Sequence, residues 1–287
     1  MGIAQRFSKH SKLAFALVLV GAVTGLTAPL AHASAIDALK PHRAVYDVKL
    51  VKASDRSGIR AMDGRIVYEI KGSRCEGFAV RFRFLTRVRS ARKTFTSDQR
   101  NATFESGDGT TFNFSNQSYL NEQLESTLQG VATRGGNGVE IEFSKPDAKT
   151  LQLDDAVFLT QHVTQMLEAA KREQTFLTAR VYDASEGGNN LVDTTAVIGK
   201  SRTGETAVDD EDAAIKAKFE GEPGWPVSVS YFGVEDAEKQ VERTPDYQVS
   251  FILQESGVSR RLKMTYPDYS LSGKLTDIEF FEASPCE

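Results

Sequence analysis

Residues 77–89 read GFAVRFRFLTRVR, and the alternation in this stretch decides the fold class. Phe78, Val80 and Phe82 fall on one face of an extended chain, because successive side chains of a strand point to opposite faces. Arg81 and Arg83 fall on the other face. The stretch therefore predicts an amphipathic strand with one aromatic, buried side and one charged, solvated side.

The same period of two recurs along most of the chain. Glycine- and asparagine-rich stretches separate the repeats, and these residues tolerate the positive φ angles of tight hairpins. We therefore predict a mainly β protein, an antiparallel meander of about a dozen or more short strands. The alternating runs lie at 44–51, 139–143, 247–253, 262–266 and 271–281.

One segment breaks this pattern and predicts a single principal amphipathic helix at about 155–173. Asp154 and Asp155 suit the start of a helix, and Lys171 and Arg172 suit its carbonyl end. A lone helix among strands packs on one face of a curved sheet or plugs it. The apolar residues at helical spacing are Leu159, Val163, Met166, Leu167 and Ala170.

Residues 1–33 have the layout of a secretory signal peptide. Three basic residues precede the uncharged run LAFALVLVGAVTGL at 13–26, and Ala31 and Ala33 are the small residues of a cleavage site. Fourteen apolar residues are short against the ~20 that a spanning helix needs. We predict export to the periplasm with cleavage near Ala33 (Ala35 is the alternative), a single domain over 34–287, and no later transmembrane segment.

The charge of the predicted mature chain argues against a polyanionic partner. Cleavage removes three of the 35 Lys and Arg residues and none of the 39 Asp and Glu residues, which changes the net charge from −4 to −7. Proteins that bind nucleic acid draw much of their affinity from Lys and Arg on phosphates. We therefore expect no nucleic-acid partner.

Two cysteines, Cys75 and Cys286, lie 211 positions apart. In an oxidising compartment a disulfide between them can persist. Such a bridge would close a loop of ~210 residues and remove up to roughly 5 kcal/mol of denatured-state entropy in the chain-entropy model. Two free thiols or an intermolecular bridge are the alternatives. The absence of a C-x-x-C motif argues against a redox catalyst.

The sequence contains few candidate residues for catalysis or metal binding. Only His42 and His162 remain after cleavage, too few for a histidine-rich metal site, and a Ser–His–Asp triad would have to use one of these two. A structural, hydrogen-bonded role is the simpler interpretation of both. The acidic run at 209–212 is typical of a solvated charge cluster rather than of the spaced carboxylates of a glycosidase. We predict no catalytic residue, no metal and no cofactor.

The region around that run, 201–224, is acidic and rich in small residues. We interpret it as an exposed, mobile connection, with a short helix around 213–219 as the alternative. The arginines Arg81 and Arg83 have two interpretations as well. They form the outward row of an amphipathic strand, or they belong to a surface patch for an anionic partner or lipid headgroup.

The inward aromatic residues exceed what a thin sheet needs, so they fill a barrel or line a cavity. Trp225, the single tryptophan, either covers one barrel mouth or anchors an edge strand. We predict an apolar groove. Its candidate residues are Phe78, Phe82, Phe84, Met166, Trp225, Phe251 and Tyr266.

Four stretches of the chain resemble a known family. They are PHRAVYDVKL at 41–50, LTARVYDASEGGNNLVDTTAVIGK at 177–200, GWPVSVSYF at 224–232 and the C-terminal 244–286. Together they resemble the EipB-like family of alphaproteobacterial cell-envelope integrity proteins, once catalogued only as a domain of unknown function.

This resemblance implies a monomeric periplasmic protein whose open, spiralling β-sheet wraps around a helix, similar to the half-barrels of the LolA and LolB lipoprotein carriers. It implies a disulfide between Cys75 and Cys286. It also implies a periplasmic tetratricopeptide-repeat protein as partner and no enzymatic activity.

We therefore predict a non-enzymatic periplasmic protein that maintains cell-envelope integrity by binding a protein partner. One alternative is a lipid or lipoprotein carrier that holds an apolar ligand in a groove. A second alternative is a hydrolase of envelope glycan that uses His42, His162 or the acids of 209–212.

Overall fold

The computed structural model describes residues 35–189, 191–203, 211–233, 244–283 and 286. The predicted signal peptide, residues 1–33, lies outside these ranges. Within them, no helix combines the length and the apolar composition that crossing a bilayer requires.

The described chain forms one antiparallel sheet of fourteen strands, three α-helices and two short 3-10 segments, which confirms the predicted mainly β class. The helices are α1 (Ala35–Ala38), α2 (Leu159–Lys171) and α3 (Ala213–Ala217). The strands are β1 (His42–Ala53), β2 (Ile59–Ser73), β3 (Gly77–Ser90), β4 (Thr94–Glu105), β5 (Thr111–Leu120), β6 (Gln123–Gly135), β7 (Gly138–Lys145), β8 (Lys149–Leu153), β9 (Phe176–Val181), β10 (Val192–Ile198), β11 (Gly224–Gly233), β12 (Tyr247–Gln254), β13 (Ser259–Thr265) and β14 (Tyr269–Phe280).

The order of the strands follows from hairpin connections. Strands β1 to β8 run outward in sequence to one edge, and β9 to β14 run back from the other edge. The first and last strands pair with each other in the middle of the sheet, with His42 opposite Phe280 and Leu50 opposite Leu271. The two edges are therefore β8 and β9, which follow each other in sequence through α2.

The length of that connection forces the sheet to curl. The thirteen gaps of a flat fourteen-stranded sheet would place its edges ~60 Å apart. Helix α2 has 13 residues and is about 20 Å long. The nine other residues between Leu153 and Phe176 add about 30 Å at most. The two edges must therefore approach each other.

Side-chain packing and one isolated backbone bridge between Val157 and Val181, rather than a continuous strand ladder, hold the two ends of the curled sheet together. Phe112 of β5 stacks on Phe158, just before α2, with ring centroids 5.1 Å apart, and meets Tyr182, just after β9, at 6.2 Å. All three rings are fully buried. Asn116 of β5 donates a hydrogen bond from Nδ2 to the carbonyl oxygen of Ala184 over 2.9 Å. This is the open half-barrel expected from the family resemblance.

The alternation in β3 is as the sequence predicts. Phe78 and Val88 are buried, and Phe82 and Phe84 are half-buried on the same face. Arg81, like the other outward arginines of the strand, is exposed.

Helix α2 lies inside the predicted range but begins later than expected. Phe158 occupies the N-cap position and supplies no side-chain hydrogen bond. The assignment of Asp154 and Asp155 to the first turn is therefore wrong. Asp154 lies before the helix, where its carboxylate pairs with Arg180 over 3.1 Å. Lys171 ends the helix, as predicted.

Trp225 has neither of the roles predicted for it. Its strand, β11, is third from the edge and is paired on both sides, with β10 and β12. The indole is buried in a cluster with Met166 of α2 and Leu253 of β12. It is a core residue, which neither covers a barrel mouth nor anchors an edge strand.

The disulfide predicted from the sequence is present. Cys75 lies in the turn between β2 and β3 and is bonded to Cys286, with the Cα atoms 5.6 Å apart. Because β2 and β14 both flank β1, the bridge attaches the end of the chain to the neighbouring hairpin.

Candidate functional site

The interior of the curled sheet contains a cavity of about 260 Å³ beside α2. Its walls come from β1 to β3, from β11 to β13, and from the first half of the helix. Most of the lining is apolar, including Ile70, Val163 and Leu262, and a few polar groups face the same space. This combination is typical of small-molecule sites, although the volume is near the lower end of the usual ~300–1,000 Å³.

The residues predicted to form one apolar groove are divided by the structure. Met166 and Phe251 line the cavity. Phe78 and Trp225 belong to the core cluster that packs around α2 and are not among the residues that line the cavity. Phe82, Phe84 and Tyr266 pack against a second cluster, formed by the inner faces of β1, β2, β13 and β14.

Two buried histidines face the cavity, and burial keeps both neutral. Desolvation lowers the pKa of His162 from 6.5 to about 4, and its Nε2 lies 3.1 Å from the hydroxyl of Thr194. Desolvation also lowers the pKa of His42, whose Nδ1 lies 2.7 Å from the carbonyl oxygen of Lys40. Neither imidazole has a carboxylate as a hydrogen-bond partner in the described part of the chain, so neither belongs to a triad of the serine-hydrolase kind.

The turn between β12 and β13 closes one end of the cavity. Ser256 is buried and lines the cavity, and its hydroxyl has no hydrogen-bond partner among the described residues. Its backbone is fixed from two sides, because its N–H donates to Glu222 over 2.7 Å and its carbonyl accepts from Lys40 over 3.0 Å. A buried hydroxyl without a protein partner is a group that a ligand or an ordered water would satisfy.

The start of α2 is capped from across the interior by Glu105, the last residue of β4. Its carboxylate accepts the backbone N–H groups of Thr160 and Gln161 over 2.7 and 3.0 Å. Burial raises the pKa of Glu105 from 4.5 to about 7, although these hydrogen bonds act in the opposite direction. Glu105 therefore replaces the side-chain cap that Phe158 cannot supply.

The described end of the acidic segment, residues 211–224, packs against the inner face of the sheet, and 204–210 lie outside the described residues. Glu211 is buried and forms a bidentate ion pair with Arg260 of β13. Helix α3 follows it, and Ile215 and Phe219 are buried against the inner face of the sheet. The interpretation as an exposed connection is therefore wrong for this part, and the short-helix alternative is confirmed.

The same geometry weakens the hydrolase alternative. Asp209 and Asp210 lie outside the described residues. Glu211 forms an ion pair with Arg260, and Asp212 caps α3 by accepting the N–H of Ala214 over 2.8 Å. No group of three or more potential metal-ligating side chains is found in the described ranges.

A second candidate surface lies on the outer face of the sheet. We call it the arginine face, and it consists of four exposed arginines of β3 and one of β4. Leu85, which is 39% exposed, sits in the middle of the β3 row. A shallow depression of about 330 Å³ beside it has Val67 and Ala102 on its floor. The arginines are Arg81, Arg83, Arg87, Arg89 and Arg100.

Carboxylates neutralise only part of this face. Asp98 accepts hydrogen bonds from Arg83 and Arg100, and the bond from Arg83 is the main reason that the pKa of Asp98 lies below its ordinary value. Asp63 pairs with Arg87 over 3.0 Å and with Arg89 over 4.0 Å. Among the described residues Arg81 forms no ion pair, and Glu69, opposite it on β2, pairs with Lys71 over 3.1 Å. The face therefore keeps a positive balance on a protein of negative net charge.

Sequence reasoning missed three of these groups. Glu105 ends an ordinary amphipathic strand, and its local pattern does not show that it faces a helix 55 residues away. Arg260 is followed by Arg261, and two adjacent arginines are typical of a solvent-exposed surface. The positive φ of Arg261, 56°, belongs to an irregularity in the strand pairing that accompanies the burial of Arg260. Glu211 lies within the acidic run 209–212, whose composition gives no sign that one member is buried.

Comparisons with known proteins agree on one family. The model of the family described as EipB-like matches residues 33–282. The cell envelope integrity protein EipB of Brucella abortus (strain 2308) is 36% identical over 259 residues, which cover 90% of this chain and 90% of that protein.

A solved structure shows the same fold. The crystal structure of a β-barrel-like protein from Brucella abortus, described as a domain of unknown function, superposes with a TM-score of 0.78 at 35% identity. The match covers 85% of this chain and 99% of that chain.

Proposed function

This chain belongs to the EipB-like family, and from this premise we propose that it is an exported, non-enzymatic protein of the periplasm that maintains cell-envelope integrity by binding a protein partner. The role in envelope integrity rests on the name of the Brucella relative. The disulfide between Cys75 and Cys286 supports export, because such bonds persist in oxidising compartments. The family match also begins at residue 33, the predicted cleavage position.

The chemistry of the interior supports a non-enzymatic role. General acid–base catalysis requires a titrating group within reach of a substrate and with a pKa near the working pH. His42 and His162 are neutral and engaged. Glu105 has a pKa of about 7, but its carboxylate caps α2 and does not line the cavity. Each of these groups has a structural role that accounts for its burial.

The single observation that carries partner binding is the arginine face. Arginine is the basic residue most enriched at protein interfaces, whose centres are more apolar than their rims. Leu85 and the depression over Val67 and Ala102 supply the apolar part, and the arginine rows supply the charge. The complementary partner has an acidic surface with an apolar projection. The tetratricopeptide-repeat partner implied by the family resemblance is the first candidate for this role.

The test is a charge reversal at Arg81, which has no described ion pair to break. Periplasm containing tagged Arg81→Glu protein is crosslinked, and the captured partners are compared by mass spectrometry with those of the wild type. Lys263→Glu is the matched control, because it makes the same change of charge at an exposed position of β13 outside the arginine face. We expect Arg81→Glu to lose the acidic partner and Lys263→Glu to keep it, with equal melting temperatures. Equal capture by both variants would contradict the proposal.

The internal cavity favours a second candidate, a carrier that shields one apolar chain. The cavity lies between the helix and both halves of the sheet, and its lining is mainly aliphatic and aromatic. Native mass spectrometry and lipid extraction of protein purified from periplasm would show a stoichiometric ligand. Val163→Trp fills the cavity and should abolish that ligand, whereas Val51→Trp, at a position 59% exposed, should retain it. A clean unliganded mass for the wild type would argue against the carrier.

A further inference from the structure

The cavity beside α2 has a polar end, where the turn between β12 and β13 meets the start of β1. The backbone N–H of Lys40 donates to the carbonyl oxygen of Ser256 over 3.0 Å, and the carbonyl oxygen of Lys40 lies 2.7 Å from His42 Nδ1. The ring of Tyr68 lies 5.6 Å from that of His42. His42, Tyr68 and Ser256 all line the cavity. Their polar groups are therefore gathered at one end of a mainly apolar space.

The contact with Lys40 decides which nitrogen of His42 carries the proton. A carbonyl oxygen can only accept, so Nδ1 is the donor. Burial lowers the pKa of His42 and keeps the ring neutral, which leaves Nε2 as an acceptor. In the part of the chain that the structure describes, Nε2 has no hydrogen-bond partner. The hydroxyl of Ser256, a residue that is 1% exposed, has none there either. The polar end therefore presents a buried acceptor and a buried hydroxyl, both unpaired.

His162 of α2 presents a second acceptor to the same cavity. The hydroxyl of Thr194 lies 2.9 Å from the carbonyl oxygen of Ala179 and 3.1 Å from His162 Nε2. Thr194 has a single hydroxyl proton, so both hydrogen bonds form together only if Thr194 donates to Ala179 and Nε2 donates to Thr194. Burial keeps this ring neutral as well, so its Nδ1 is an acceptor. A ligand that donates hydrogen bonds therefore matches the two imidazoles.

Charge and volume narrow the class of ligand further. Among the described lining residues Lys40 alone carries a charge, and its ammonium lies over the ring of Phe280, 5.6 Å from the centroid. An anion would lose its hydration and bring more acceptor atoms toward two acceptor nitrogens, which disfavours it. An apolar cavity of about 150 Å³ holds one benzene ring, so a cavity of about 260 Å³ admits about ten non-hydrogen atoms. That is the size of one substituted ring or a short alkyl chain.

We propose that this cavity binds a compact, neutral ligand that carries a hydroxyl group on an apolar ring or short chain, such as an alkylphenol. The inference rests on the carrier candidate, because it concerns the same cavity. The ligand hydroxyl donates to His42 Nε2 and accepts from Ser256, and the apolar body contacts Val163, Met166 and Phe251. A hydroxyl group is both donor and acceptor, so it satisfies both unpaired groups at once.

The test compares three probes of nearly equal size. Para-propylphenol both donates and accepts, its isomer para-ethylanisole only accepts, and butylbenzene does neither. Their dissociation constants are measured by calorimetry on the mature protein. Para-propylphenol should bind about tenfold more tightly than para-ethylanisole, the equivalent of one hydrogen bond. Ser256→Ala should weaken binding of para-propylphenol by a similar factor, while Ser126→Ala, at an exposed position of β6, should leave it unchanged.

Nitrogen NMR tests the hydrogen bond to His42 without any substitution. The predicted mature chain contains two histidines, so the ring nitrogens of both can be assigned in protein labelled at histidine. Para-propylphenol should move the His42 Nε2 resonance in the direction typical of a nitrogen that accepts a hydrogen bond, and para-ethylanisole should not. A response of His162 alone, or of neither ring, would overturn the assignment of His42 as the acceptor.

Failure of this inference and failure of the carrier candidate give different results. If the three probes bind equally to the wild type, or if none binds while protein purified from periplasm retains a stoichiometric apolar ligand, the hydroxyl inference is wrong and the carrier candidate stands. If none binds and the purified protein is unliganded, both are wrong. Val163→Trp, which fills the cavity, should abolish binding of para-propylphenol. Binding that survives this substitution would place the site elsewhere and contradict the inference.

Discussion

Two buried groups at the start of α2 should give the protein opposing pH dependences of stability, and replacing Glu105 by glutamine should separate them. Glutamine keeps the shape of the side chain and one acceptor for the N–H groups of Thr160 and Gln161. It removes the ionisable carboxyl group. The effect of the substitution therefore depends on pH, and its pH-dependent part can be calculated from the structure.

The magnitude follows from proton linkage. Burial raises the pKa of Glu105 from 4.5 to about 7. Between these values the folded protein retains a proton that the unfolded chain has released, so the free energy of unfolding falls as the pH rises. At about 1.4 kcal/mol for each pH unit, the decrease is about 3 kcal/mol, complete near pH 7.

His162 acts in the opposite direction. Burial lowers its pKa from 6.5 to about 4. Between these values the unfolded chain binds a proton that the folded protein excludes, so stability falls as the pH falls, again by about 3 kcal/mol. His42, with its lowered pKa, adds to this effect. The contributions of the acid and the histidines largely cancel in the wild type.

The assay is urea unfolding at pH 5, 6 and 7.5, with free energies taken from midpoints at constant slope. Relative to the wild type, Glu105→Gln should be destabilised most at pH 5 and gain about 3 kcal/mol by pH 7.5. His162→Gln should show the reverse trend. Glu125→Gln, at an exposed carboxylate of β6, is the matched control and should follow the wild type at every pH. Parallel curves for Glu105→Gln and the wild type would refute the linkage reasoning.

Two further predictions concern the frame around the site. Cys75→Ser and Cys286→Ser should lower the melting temperature equally, with a loss in the free energy of unfolding of at most about 5 kcal/mol. The double variant should be no less stable than either single variant. Clearly additive losses would contradict the disulfide. Gly138→Ala should destabilise the β7–β8 side of the sheet, because Gly138 has φ = 101° and an added Cβ would lie 2.2 Å from the carbonyl oxygen of Leu153. Gly136→Ala, in the same hairpin with no atom within 4 Å of an added Cβ, should unfold like the wild type in thermal melts, and equal losses for both glycines would count against the conformational argument.

The sequence alone predicted the strands because their pattern is local. In β3 the side chains alternate between the core and solvent, and the period of two assigns Phe78 and Arg81 to opposite faces without knowledge of any neighbour. The existence of α2 was predictable for the same reason. The bridge between Cys75 and Cys286 was predictable because the signal-peptide pattern predicts an oxidising compartment, where two cysteines favour a disulfide.

The site depended on contacts between residues far apart in the chain, and tertiary structure alone decided it. Glu105 and Thr160 are 55 positions apart, and Glu211 and Arg260 are 49 apart. The contact between Glu105 and Thr160 requires the curvature that brings β4 and β5 to the start of α2, where Phe112 packs on Phe158. Local periodicity tells which face of a strand is buried, because that depends on the residue's own neighbours. What a buried charge meets depends on how the sheet curls, and no local pattern encodes that.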